Sequence, residues 1–280
     1  MPLLTRRTFL RSAFGSLATG AAACTYAGFI EPTWLDVTRL DMPLRNLPDA
    51  FAGFTIAQIS DLHLGPYIQP THMDPVVDRV LSLNADAVVI TGDVVSRISH
   101  GEPEMIEQSL SRLRAPHGVF ATLGNHDWWS GAAVVTDALR RAGITVLSNT
   151  HHVWARGGQR LYLAGLDDVW CRRQDLTAAL RGVPADGAAV ALVHEPDYAD
   201  EVANDPRVLL QLSGHSHGGQ VRVPLCGALR LVTWGRKYPC GLYQVGDMKL
   251  YTNRGIGVVT WPVRFACRPE VTLFKLMPAS

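Results

Sequence analysis

Seven side chains in this 280-residue chain have the types and placement to hold metal ions: Asp61, His63, Asp93, Asn125, His194, His215 and His217. They fall in five separated blocks, Asp61-Leu62-His63, Gly92-Asp93, Gly124-Asn125-His126-Asp127, His194-Glu195 and Gly214-His215-Ser216-His217. Each block starts where a continuous apolar run stops. A set of carboxylates, one amide and imidazoles, with no cysteine in it, suits divalent transition metals such as Mn, Fe or Zn, and disfavours a structural cysteine–zinc site. These are too many ligands for one ion. They fit two ions a few ångströms apart that share one carboxylate. A single histidine of this kind would read as a satisfied loop or core residue; five such blocks in one chain would not.

For residues so far apart to converge, the apolar runs before them must be neighbouring strands. Asp61 to Asp93 and Asp93 to Asn125 are each 32 residues apart, about one strand–helix–strand step. In α/β sheets the ligand site lies outside the carboxyl ends of the strands. The periodicity predicts strands over 54–60, 87–91, 119–123, 144–147, 161–166, 189–193 and 208–212, the run at 87–91 (AVVIT) being of the fully buried type. Helical patterns fall at 73–83, 102–113, 132–142, 176–180 and 198–203, and short strands at 229–233, 241–245, 248–252 and 271–274. Strands alternating with helices, then a β-rich tail, predict an α/β layered domain with at least one mixed sheet. Residues 31–50, which carry prolines, read as a linker, and 51–280 as a single domain. Glycines before three of the blocks (Gly92, Gly124, Gly214) let the backbone turn sharply and approach closely.

Composition agrees with a folded chain. The chain is 47% hydrophobic and 18% charged, so a core needs no disulfide staples and wholesale disorder is excluded. Gly and Pro show no period, which excludes collagen-like and repeat architectures. The net charge of +1 gives no nucleic-acid-binding patch. Residues 1–30 carry Arg6, Arg7 and Arg11 with no acid, so the remainder is near neutral. This start, followed by a weakly apolar stretch over 12–30 with Ala21-Ala22-Ala23 near its end, reads as a secretory signal. The paired arginines followed by Phe-Leu-Arg resemble a twin-arginine signal, so the expected partner is that export machinery and the expected location periplasmic or otherwise extracytoplasmic, with a membrane anchor if the segment is retained. Cys24 after three alanines is similar to a lipoprotein cleavage site, although Ala21 stands where a larger aliphatic residue is expected. No close cysteine pair occurs, so iron–sulfur and thioredoxin-like sites lack support; an exported chain could form one or two disulfides among Cys171, Cys226, Cys240 and Cys267.

Taken in order, the five blocks match the signature of the calcineurin-like metallophosphoesterases over roughly residues 54–220. The tail resembles a narrower branch of small exported or membrane-attached bacterial phosphoesterases, through the run His217-Gly218-Gly219-Gln220-Val221-Arg222-Val223-Pro224, then Asn253-Arg254-Gly255-Ile256-Gly257 and Arg268-Pro269-Glu270-Val271-Thr272. Some members of that branch resemble enzymes that hydrolyse UDP-diacylglucosamine. The resemblance implies an α/β sandwich of two packed mixed β-sheets flanked by helices. It implies that Asp61, His63 and His217 hold a first divalent metal, that Asn125, His194 and His215 hold a second, and that Asp93 bridges both. It implies that His126 donates a proton to the leaving group while a hydroxide shared by the two cations attacks in line. The substrate is then a phosphodiester or a pyrophosphate, lipid- or nucleotide-linked. An exported redox or metal-carrying protein is the competing class, and the ligand set argues against it because such sites use Cys or Met.

One departure bears on mechanism. The protein-phosphatase branch has an acid three residues after the bridging Asp, to orient the catalytic His; here that residue is Ser96. Asp127 is adjacent to His126, but adjacency alone does not aim it. Arg97 and Arg254 are candidate phosphate contacts. Trp128 and Trp129 follow Asp127 directly, and at least one, with Trp128 taken first, is expected to line the substrate pocket.

Overall fold

The computed structural model describes residues 5–96 and 102–279. The first half of the chain runs α1 (Arg6–Thr25), β1 (Asp36–Leu44), β2 (Thr55–Ile59), α2 (Pro70–Ser82), β3 (Ala87–Thr91), α3 (Glu102–Leu110), β4 (Val119–Thr122), α4 (Asn125–Arg141) and β5 (Thr145–Val146). The second half runs β6 (Thr150–Arg156), β7 (Gln159–Gly165), α5 (Leu176–Ala179), β8 (Ala189–Leu192), α6 (Ala199–Val202), β9 (Val208–Ser213), β10 (Arg222–Val223), β11 (Gly227–Ala228), β12 (Gly241–Val245), β13 (Met248–Thr252) and β14 (Glu270–Pro278).

Two six-stranded mixed sheets pack face to face, in the orders β1-β14-β2-β3-β4-β5 and β12-β13-β9-β8-β7-β6. Alternation of side chains along each strand explains the layers. In β3, Ala87 and Val89 face the seam between the sheets, while Val88 and Ile90 face the layer of α2, α3 and α4. In β8, Val190 and Leu192 meet that same seam from the other side, while Ala189 and Ala191 face α5 and α6. Strands buried on both faces are the continuous apolar runs seen in the sequence. The fold is therefore the expected sandwich.

Several elements differ from the sequence expectation, among them β6 (Thr150–Arg156), which no predicted strand covers. Residues 36–44, expected within a linker, form β1, paired in parallel with β14 from Asp36–Glu270 to Leu44–Pro278. Pro43 reads as a breaker, but β1 is an edge strand, where a missing N–H is tolerated. Residues 229–233 are not a strand; the β10–β11 hairpin lies just before them. Helix α4 begins at Asn125 rather than 132, because a kink at Gly131 (φ 108°) interrupts the helical period and hides the first turns. The five cysteines are all free.

The tail braces the site from behind. Arg264 is fully buried and donates to the carbonyls of Arg254 (3.0 Å), Gly255 (3.1 Å), Gly257 (2.6 Å) and Cys267 (3.0 Å). The loop it holds donates to the strand end that carries Asp61: Ile256 N to Ser60 O at 2.9 Å and Gly257 N to Asp61 O at 2.7 Å. Glu31, also buried, accepts from the backbone N–H of Ala266 (2.9 Å) and of Cys267. Replacing Arg264 by Ala leaves these carbonyls without a donor, at about 3 kcal/mol or more. A fall in Tm of roughly 6–12 °C by calorimetry is expected. A fall below about 2 °C would mean that water or a neighbour satisfies these groups instead.

Candidate metal centre

The carboxyl ends of β2, β3 and β4 in one sheet and of β8 and β9 in the other meet at one edge of the sandwich. Backbone bonds lock these ends together: Asp61 N donates to Gly92 O, His63 N to Asp93 O and Gly214 N to His194 O, each at 3.0 Å. The approach leaves no room for a side chain at two glycines. A Cβ on Gly214 would stand 1.9 Å from Ser60 Oγ, and one on Gly124 would stand 2.3 Å from Asp93 Oδ1. Asp61, His63, Asp93, His215 and His217 all have positive φ, between 50° and 69°. Asp and His enter this left-handed region more readily than most residues, yet five in one site is a concentration of strain of the sort found at functional centres.

All seven expected residues are buried and brought together. Asp61, His63 and His217 form one set with ligand atoms within 4.8 Å of each other, and Asp93, His194 and His215 form a second. His63 Nε2 lies 3.0 Å from His217 Nε2, and His217 Nε2 lies 3.5 Å from Asp61 Oδ1. Asp93 Oδ2 lies between the sets, 3.6 Å from His63 Nε2 and 3.2 Å from His194 Nε2. His215 Nδ1 is 3.1 Å from His194 Nε2. In the second set the outward nitrogens face carbonyls: His194 Nδ1 donates to Thr91 O (2.7 Å) and His215 Nε2 to Thr233 O (2.8 Å). This leaves His215 with its Nδ1 lone pair facing the cluster. In His194, burial is outweighed by Asp93 and Asp61, which hold the ring well above its usual range, so its Nε2 carries toward Asp93 a proton that a cation would replace.

The electrostatics favour cations. Burial holds the Asp61 carboxyl up at about 6, with His194 opposing and Asp93 adding to the rise. Burial pushes His63 down to about 3 and His215 to about 4, so both rings are neutral, the form that binds a metal. Burial opposes the charge of Asp93 too, but His194 at 3.2 Å outweighs it and holds the carboxyl well below its usual range. The buried Asn125 Oδ1 has no hydrogen-bond partner. Clustered carboxylates, inward lone pairs and an orphaned amide oxygen fit two divalent cations.

His126 stands at the first turn of α4, beside the cluster. Its backbone N–H donates to Asp93 Oδ1 (2.9 Å), and its ring Nδ1 lies 2.9 Å from Ser96 O. A carbonyl only accepts, so Nδ1 carries a proton and Nε2 is the free edge. Asp127 does not touch the His126 ring; its carboxyl accepts from Gly124 N (3.0 Å) and Val95 N (3.1 Å). Burial, then the charge of Asp93, raises Asp127 to about 7. Asp127 thus pins the loop that presents the Ser96 carbonyl.

Two of the remaining candidates need correction, and a third cannot be assessed. Arg254 does not face the cluster: it pairs with Glu270 (3.0 Å) and Asp36 (2.9 Å), tying β1 to β14. Trp128 packs into the helical layer and donates from Nε1 to Asp167 (2.5 Å), because the helix turns it away from the cavity. Arg97 lies outside the described residues. Trp129 is the residue that lines the cavity, in a row of rings from His126 (4.9 Å) through Trp129 to Trp170 (5.6 Å) and on to His215 (5.5 Å). The cavity, about 340 Å³, has the cluster as its floor and also takes in Arg230 and Trp261, which spacing alone did not single out.

Residues 54–219 match the calcineurin-like phosphoesterase family. The chain belongs to it. Enzymes of this family use two divalent metals, and the chain is a hydrolase of phosphoric esters. It is 34% identical to the uncharacterized metallophosphoesterase YkuE of Bacillus subtilis, over 99% of each chain. It is 31% identical to the phosphodiesterase YaeI of Escherichia coli, over 98% of this chain and all of that one. It is 29% identical to the UDP-2,3-diacylglucosamine pyrophosphatase LpxG of Chlamydia trachomatis, over 93% and 95%. These relatives accord with the narrower branch read in the tail. In fold it is similar to the NAD nucleotidase of Haemophilus influenzae, with a TM-score of 0.50 at 15% identity, over 72% of this chain and 45% of that one.

Asp93→Asn should abolish turnover and lower the metal content measured by plasma mass spectrometry, since an amide offers one weak oxygen where two cations need a charged pair. Normal turnover with two metals per chain would remove Asp93 from the shared position.

Proposed function

We propose that the chain hydrolyses phosphodiester or pyrophosphate bonds of lipid- or nucleotide-linked substrates, with His126 as proton donor to the leaving oxygen. Asp61, His63 and His217 would hold one cation, Asn125, His194 and His215 the other, and Asp93 both. Two such cations supply a nucleophile from water at neutral pH and neutralise phosphate oxygens. The observation that carries the reading is the setting of His126. Its Nδ1 proton is committed to the Ser96 carbonyl, so the ring keeps that proton and works through Nε2. Trp129 packs against the same ring and limits its rotation. The similarity to YaeI and LpxG supports a diester or pyrophosphate over a monoester. Cleavage of UDP-diacylglucosamine is the second reading, favoured by the extent of the similarity to LpxG and by the apolar side of the cavity.

The value of a proton donor depends on how basic the leaving oxygen is. A nitrophenolate leaves as an anion, whereas an alkoxide from a sugar, glycerol or lipid headgroup is expelled poorly without a proton. His126→Ala should keep its metals, lose little rate with nitrophenyl diesters, and lose on the order of 10²–10⁴-fold with alkyl diesters. Equal losses on both substrates would reassign His126 to electrostatic stabilisation, and loss of metal would make it a ligand.

We also read residues 1–30 as a twin-arginine export signal, retained as a membrane anchor. Arg6 and Arg7 open α1, and the helical run Arg6–Thr33 is long and apolar enough to cross a membrane by length and composition. Replacing both arginines by Lys should leave the protein in the cytoplasm, as seen by fractionation, because the export receptor reads the pair. Full export of the double variant counts against the signal.

A further inference from the structure

The cavity floor is charged, but one side of its mouth is apolar: Val221, Leu229, Val232, Val259 and Trp261 line it. The apolar surface continues outward. Leu225 is fully exposed at the tip of the β10–β11 hairpin, Leu229 is 68% exposed and Trp261 is 70% exposed. Contacts join this rim to the foot of α1. Arg222 N donates to Phe265 O (2.8 Å), Phe265 N to Gln220 O (3.1 Å) and Gln220 Nε2 to Trp261 O (3.0 Å). The Phe265 ring meets Tyr26 edge-on at 6.1 Å, and Arg264 N donates to Ala27 O (2.9 Å). Phe29 and Ile30, at the same foot, are exposed. Isolated exposed apolar residues are ordinary; a contiguous patch marks an interaction surface.

Two observations say what covers it. The patch is continuous with the foot of the helical run that can cross a membrane, none of whose apolar window is buried in the domain. The segments that form it, 220–240 and 257–269, carry no acid and, besides the buried Arg264, the cations Arg222, Arg230, Arg236, Arg268 and Lys237, the last paired with Asp200. Apolar tips and a tryptophan among cations suit an anionic bilayer interface. From Arg222, bonded at the foot, the hairpin extends three residues to Leu225, roughly 10 Å at strand spacing, comparable to the depth of the headgroup region.

We propose that the β10–β11 hairpin and the Trp261 loop form a membrane seat that rests in the interface of an anionic bilayer, so that the cavity opens onto the lipid face. The seat rests on reading α1 as a retained anchor, and it narrows the substrate class to phosphoesters presented at a lipid surface.

The test uses the full chain in vesicles of phosphatidylcholine and phosphatidylglycerol, with a parallel set carrying acyl-brominated phosphatidylcholine. Wild type should float with the vesicles and show tryptophan quenching by the brominated chains. Trp261→Tyr should still float and should lose most of the quenched component. Leu225→Asp should still float, keep its turnover of a soluble aryl phosphodiester, and show weaker quenching. Quenching that neither variant alters, while both float, overturns the seat and leaves the anchor standing, as it would if the rim docks a protein. Failure of wild type to float overturns the anchor and the seat together. None of these optical readouts depends on the substrate assignment.

Discussion

The charge of Asp93 sits nearly buried at the floor of the cavity, and the surrounding architecture follows from holding it there. One oxygen accepts the His126 N–H, while the other lies between His63 and His194, at the seam of two sheets. An isolated buried carboxylate would cost several kcal/mol in desolvation, so the seam must supply positive charge. His194 supplies part of it. The two candidate ligand sets around Asp93 fit two cations, which would supply the rest. Bringing five strand ends this close requires bare glycine at 124 and 214 and left-handed backbone at five of the seven clustered residues. Each left-handed residue costs on the order of 1–3 kcal/mol. The bonds from Arg264 and from the neighbouring strand ends are what keep that strain in place.

The orientation of His126 rests on a backbone group rather than on an acidic side chain. The expected acid after the bridging Asp is replaced by Ser96, and the ring finds that residue's carbonyl instead of a side chain. A carbonyl is neutral, so it fixes the tautomer without adding a second negative charge next to Asp93. Asp127 contributes one step removed, by holding Val95 and the start of α4. The positive end of the helix and the two N–H donors favour its charged form, and burial beside Asp93 opposes it.

Much of this was legible before any coordinates. Apolar runs that end in Asp, Asn or His mark strands buried on both faces and a site at their ends, because such runs have few other uses. The candidate ligands could be singled out since each is a polar residue in a place where a polar residue needs a reason. The companions could not. Arg264 sits in an irregular segment with no period, and it is held by carbonyls of the 254–257 loop and of Cys267. Arg254 looked like a phosphate contact because its two acids, Asp36 and Glu270, are far from it in sequence or lie on another element. Trp128 and Trp129 differ only by 100° of helix rotation, and the start of α4 that sets the rotation was hidden by Gly131. Strand β1 was missed for a similar reason, since edge strands carry weak patterns and tolerate proline.

The foot of α1 and the first ligand set are mechanically one unit. Glu31 holds the backbone of Ala266 and Cys267; Cys267 Sγ donates to His217 O at 3.2 Å; Arg264, between them, braces the loop behind Asp61. Glu31 is buried, and without it two buried N–H groups lose their acceptors, at about 1–3 kcal/mol each. Tyr26 and Ala27 add an aromatic contact and a backbone bond to the same segment. A cut near Ala23 would spare all of these contacts, whereas one beyond Glu31 would strip the support from beneath His217. The linkage therefore sets a physical boundary on processing. Whatever happens to the apolar part of α1, the residues from Tyr26 to Glu31 pack on the phosphoesterase domain beside the candidate metal site.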